Sequence, residues 1–116
     1  MRCFHRTPEV DSILADGFQD SEGTYGTTHS HRGVWVSDTP LDEDEGSAGD
    51  TLLLAEVPEE VFMQYWWVQK GKPYREALIP ASILNRYPVA RWTQDQEDEY
   101  REAQLRQLYL DLLEAS

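Results

Sequence analysis

The stretch TLLLAEV, residues 51–57, followed at once by Pro58, constrains the fold more than any other part of the chain. An almost continuous apolar run of strand length belongs to a strand covered on both faces, because a strand with one wet face alternates apolar and polar residues. Proline ends such a strand, having no N–H to give to a ladder. Both sides of a sheet must therefore be covered, within 116 residues, enough for one domain and too few for two ordinary ones.

The remaining elements are short. Residues 2–6 (RCFHR) read as a first strand, with Cys3 and His5 on one face and Phe4 on the other. A helix start follows: Thr7 as N-cap, Pro8 at the first helical position, then Val10, Ile13 and Leu14 at helical spacing, with Gly17 as the stop. Residues 19–32 read as a polar loop and 33–37 as a second strand. An acidic loop covers 42–50. Residues 59–68 fit a short helix leading into a strand, 75–79 a further strand, and 81–84 an extended or one-turn segment. A long helix spans 93–115, opened by a capping box of Thr93 and Gln96. Its residues Leu105, Leu108, Tyr109, Leu112 and Leu113 share one face, expected to cover the sheet; if left exposed, that face would pair two chains into a homodimer. The class is α+β: a single domain, 1–116, with a sheet core over 2–86 and an amphipathic C-terminal helix.

Hydrophobic residues make up 40% and charged ones 28%, a globular balance. The formal net charge is −12, from 22 acids and 10 bases, which argues against nucleic acid as a tightly held partner while leaving room for a nucleotide-sized ligand in a local pocket. No apolar run reaches the length of a membrane span, MRCFHRT lacks the apolar core of a signal peptide, and Cys3 as sole cysteine forms no internal disulfide. These features lead us to expect a cytoplasmic protein with no membrane partner.

Several chemistries fail on spacing. Cys3-x-His5 and His29-x-His31 are pairs of metal-binding residue types, but unrelated positions in a strand and a polar loop explain them better, so no metal is expected. The acids at 42–45 lack the alternation and distal glutamate of a calcium loop. A Cys3–His5 nucleophilic dyad competes with the commoner use of a strand cysteine as a small hydrophobe. No glycine-rich phosphate loop joins a strand to a helix.

Three strand residues stand out: His5 before the helix cap, Trp35 with Ser37 and Asp38 just beyond it, and Glu76 opening REALI. Each has a bland explanation, as a core histidine, a core tryptophan and an edge glutamate. Taken in order, Phe4-His5-Arg6-Thr7, Gly33-Val34-Trp35-Val36-Ser37-Asp38 and Arg75-Glu76-Ala77-Leu78-Ile79 resemble the three motifs of the ADP-ribosyltransferase fold, in the branch that carries histidine, tyrosine and glutamate on three core strands. The likeness covers residues 2–86 and leaves the C-terminal helix outside.

The resemblance implies a split-sheet core and NAD as substrate, without a metal. It casts His5 on the adenosine ribose, supported by Thr7, and Trp35 as an aromatic face for nicotinamide. Glu76 becomes the residue that bonds the nicotinamide-ribose 2′-hydroxyl and stabilises the sugar cation. Arg6 and Arg32 are the nearest bases for the pyrophosphate, and Gly33 and Ser37 line the cleft. Trp35 stands in place of the branch's first tyrosine. Its second tyrosine has no counterpart at 45–47, and Tyr25 of the preceding loop is the substitute on offer. Tyr74 stands where transferases acting on arginine or asparagine carry glutamate or glutamine, so the acceptor is open, with a protein expected. The other reading keeps the fold as a binding or inhibitory module that works through its acidic surface.

Overall fold

A computed structural model describes residues 1–41 and 51–115. The acidic loop over 42–50, with the calcium and second-tyrosine positions, lies outside them. The elements run β1 (Arg2–Thr7), α1 (Val10–Asp16), β2 (Ser21–Gly23), β3 (His31–Ser37), β4 (Thr51–Glu56), α2 (Glu59–Gln64), β5 (Trp66–Trp67), β6 (Glu76–Ile79), α3 (Ala81–Leu84), β7 (Val89–Trp92) and α4 (Gln94–Ala115). The fold is α+β: an antiparallel sheet in the order β5-β6-β3-β1-β4-β7, with β2 added to β3.

β4 is covered on both faces, as its apolar run requires. Leu53 and Ala55 join Cys3, Val34, Val36, Ala77 and Ile79 in the main core, closed by Ile13 and Phe18 near α1, Phe62 of α2 and Leu84 of α3. Leu52 points the other way, into a second cluster with Phe4 and Trp92, against which Leu54 and Tyr100 pack. Strand alternation makes this division, since successive side chains leave opposite faces.

α1 begins later than expected. Thr7 stays in β1, and its Oγ1 accepts the Glu9 N–H at 3.0 Å, so its hydroxyl stabilises the turn before the helix instead of capping a helix that starts at Pro8. Gly17 ends the helix as foreseen, with φ 91° and its N–H donating to the Ile13 carbonyl. The segment beyond is stapled to α3: Asn85 accepts from the Phe18 N–H at 2.7 Å and donates to the Phe18 carbonyl at 3.0 Å. Asp20 accepts from Ala81 N–H at 2.8 Å, satisfying one of the open donors at the start of α3.

Two strands were not foreseen: β2, inside the polar loop, and β7, which pairs with β4. The capping box of α4 forms in both directions, Thr93 N–H donating to Gln96 Oε1 at 2.8 Å and Gln96 N–H to Thr93 Oγ1 at 3.2 Å. The expected use of its apolar face is corrected. No residue of α4 is buried, and the helix is held at its start, where Glu97 pairs with Arg6 and Tyr100 meets Trp92. Among the described residues no helix is long and apolar enough to cross a membrane.

Candidate functional site

The three motif strands are neighbours, in the order β6-β3-β1. β3 and β6 are in full register, with Trp35 opposite Leu78 and Ser37 opposite Glu76. β3 and β1 are joined at one register only, Phe4 opposite Ser37. Beyond that point the ladder stops and the sheet splits, the break lying beside His5 and Trp35. Alternation puts Trp35, Ser37, Glu76 and Leu78 on one face and His5 on the other. His5 nevertheless reaches Trp35 through the split: its Nδ1 lies 2.6 Å from the Trp35 carbonyl oxygen. A carbonyl only accepts, so Nδ1 carries the proton and donates to it. The edge of Phe18 fixes the ring from the side, at 5.5 Å.

Trp35 belongs to an aromatic group built from distant parts of the chain. Tyr25 meets it edge to face at 4.9 Å and Trp67 at 5.3 Å, while His31 meets Trp67 at 5.0 Å. Tyr25, the substitute proposed for a missing tyrosine, is thus against Trp35. Its φ of 48° is a conformation that side chains with a Cβ rarely adopt, and its hydroxyl lies 3.2 Å from Ser21 Oγ. Gly33 is required by close approach: a Cβ there would sit 2.9 Å from Leu78 Cγ and 3.1 Å from the Ile79 carbonyl oxygen.

Glu76 stands one strand away, opposite both Ser37 and Trp67. Its carboxylate, 18% exposed, accepts from Lys72 Nζ at 3.2 Å. Burial works against the Lys72 ammonium, but the hydrogen bond and charge of Glu76, with Tyr74 adding to them, outweigh it and leave the lysine pKa raised. Asp38 and Arg75 lock the neighbouring turn. The Asp38 carboxylate accepts from the Arg75 N–H at 3.0 Å and from its Nε at 2.9 Å.

Two hollows flank these rings. One, of about 180 Å³, is lined by His5, Thr7, Phe18, Val34 and Trp35. The other, of about 320 Å³, is lined by Glu76, Lys72, Tyr74, Asp38 and Trp67. The Trp35–Trp67 contact stands between them, so His5 and Glu76 line different hollows. Small-molecule pockets run to roughly 300–1,000 Å³, so the first hollow alone is small for a dinucleotide and the two joined would suffice.

The other candidates divide. Arg32 is largely exposed, 4.0 Å from Glu22. Arg6 is enclosed: it donates to the Leu41 carbonyl and pairs with Glu97. Ser37 is buried, its hydroxyl donating to the Thr39 carbonyl at 2.7 Å. Cys3 is also buried, which pushes its thiol up to about 11, away from the thiolate a nucleophile needs. Among the described residues no group of three or more His, Cys, Asp or Glu is arranged to hold a metal. Sequence reasoning missed Trp67, Lys72 and the Asp38–Arg75 clamp; the adjacent Trp66-Trp67 pair was the available signal, hidden by the uncertain period of 59–68.

No protein-family model matches the chain, and no curated protein or solved structure does.

Proposed function

We propose that the chain cleaves the nicotinamide–ribose bond of NAD and passes ADP-ribose to a protein acceptor or to water, as a mono-ADP-ribosyltransferase or NAD glycohydrolase. The observation that carries this reading is the placement of His5, Trp35 and Glu76 on three adjacent strands, around a split whose edge is the His5–Trp35 contact.

In this mechanism nicotinamide rests on Trp35, with Tyr25 and Trp67 moving apart to admit it. The C–N bond breaks with its electron pair going to nicotinamide, and positive charge develops on the ribose. Glu76, released from Lys72, bonds the 2′-hydroxyl and stabilises that charge at close range. His5 holds the adenosine ribose. Arg32, exposed on β3, takes the pyrophosphate in this reading, because Arg6 already serves Leu41 and Glu97. Thr7 and Ser37 act through the backbone they bond, and Gly33 lets β6 approach.

The test is nicotinamide release by the wild type and by Glu76→Gln, with and without cell lysate as acceptor. Release abolished in the variant supports the mechanism, and dependence on lysate marks transfer. Equal release by both proteins removes it. The Lys72–Glu76 pair and the closed rings favour the second reading, a module of this fold that binds partners without turnover; absence of release in every condition, with the fold intact, would select it.

A further inference from the structure

The distal half of α4 presents an apolar face to solvent through Leu105, Leu108, Tyr109 and Leu112. From Arg101 to Ala115 every residue is exposed. A helical segment of that length standing largely in solvent is only marginally stable by itself, so what its apolar face packs on adds to its stability. Leu105, Leu108, Tyr109 and Leu112 share one face, each 56–63% exposed.

Charge divides the helix in two. Over residues 94–102, Asp95, Glu97, Asp98, Glu99 and Glu102 stand against Arg101 alone. Over 103–115, Arg106 stands against Asp111 and Glu114, a nearly neutral surface. A cationic partner would find its acids at the anchored end, away from the apolar face. A second copy of the same half-helix matches that face in both polarity and lack of charge. The extent also suits it: four large side chains more than half exposed, with the polar stems beside them, offer roughly 450 Å² per chain, so two copies approach the roughly 1,000 Å² of a specific contact.

We propose that the chain self-associates through the 105–112 face of α4, forming a dimer in which the two sheet bodies stay apart. The protein carries −12, so two copies repel, and screening by salt relieves the repulsion without weakening an apolar contact. Sedimentation across protein concentration and salt tests this on the full chain, beside the double variant Leu108→Glu/Leu112→Glu. The expected result is a reversible monomer–dimer equilibrium that tightens with salt, and a loss of at least about tenfold in affinity in the variant with near-ultraviolet circular dichroism unchanged. A monomer at every concentration overturns the proposal. So does an association that salt weakens, as a cationic contact would be, or one that the variant leaves intact.

Discussion

Asp38 and Arg75 hold each other by three hydrogen bonds: the Asp38 N–H donates to the Arg75 carbonyl at 3.0 Å, and the Arg75 N–H and Nε donate to the two Asp38 carboxylate oxygens at 3.0 and 2.9 Å. The clamp sits immediately before Glu76 and continues the β3–β6 ladder past Ser37. The polar end of β3 therefore has a structural use, that of fixing where β6 starts. The Arg75 guanidinium also lies over the Phe62 ring, 5.4 Å from its centroid, and so is steadied from below.

Replacing Asp38 with Asn should lower stability by about 1 kcal/mol near neutral pH, a modest figure because the pair is partly exposed. Burial alone would raise the Asp38 pKa, but hydrogen bonds from the Arg75 side chain and backbone and from Thr39, with the arginine charge, hold it below 3.8. A folded-state value below the unfolded one means that the contribution is present above the unfolded pKa and is lost as pH falls through the folded one. Urea titrations of both proteins should differ at pH 7 and converge in strong acid. A constant gap would show that the carboxylate's charge is not what matters.

Trp35 has a functional prediction separable from its packing. On the proposed reaction, Trp35→Phe keeps an aromatic face and should retain most nicotinamide release, whereas Trp35→Ala should lose at least about tenfold. Both variants need comparison by thermal melting, since Trp35 also touches Tyr25 and Trp67. Equal loss in the two would assign the indole a role other than stacking.

Gly33→Ala should destabilise by about 1–3 kcal/mol, the range for overpacking. The new methyl would meet both the Leu78 side chain and the Ile79 carbonyl, and the carbonyl belongs to a paired strand that cannot rotate away. Chemical denaturation measures the loss. A neutral outcome would mean that β3 and β6 separate without cost.

What could be read from the sequence follows from how local each signal is. The apolar run of β4, the stop at Gly17 and the Thr93–Gln96 box are set by neighbours in the chain, and each has its expected form. β2 and β7 are short strands with no clear alternation, stabilised by ladders to β3 and β4 that lie outside any local window. The leucine face of α4 was legible as a face, but whether the sheet covers it depends on how α4 leaves β7, which no periodicity records. The site divides in the same way. Trp35 and Glu76 sit in recognisable strands, whereas Trp67 and Lys72 reach them only through the hairpin of β5 and β6.

Cys3 gives a prediction about the core itself. Its thiol is buried between β4 and the helices, and the loss of hydration is the main reason that its pKa rises from 9.0 to about 11. The folded state therefore favours the protonated thiol. That contribution is complete below pH 9.0 and disappears as pH rises through the folded value, because the unfolded chain releases its proton first. A disulfide reagent should react with the denatured protein within the mixing time and with the native protein only as fast as the core opens, so labelling should slow whenever stability rises. Where the opening is global, Asp38→Asn should then accelerate it about fivefold, the exponential of the roughly 1 kcal/mol lost. Rapid labelling of the native wild type at neutral pH would place Cys3 at the surface and contradict the packing of β1 against β4.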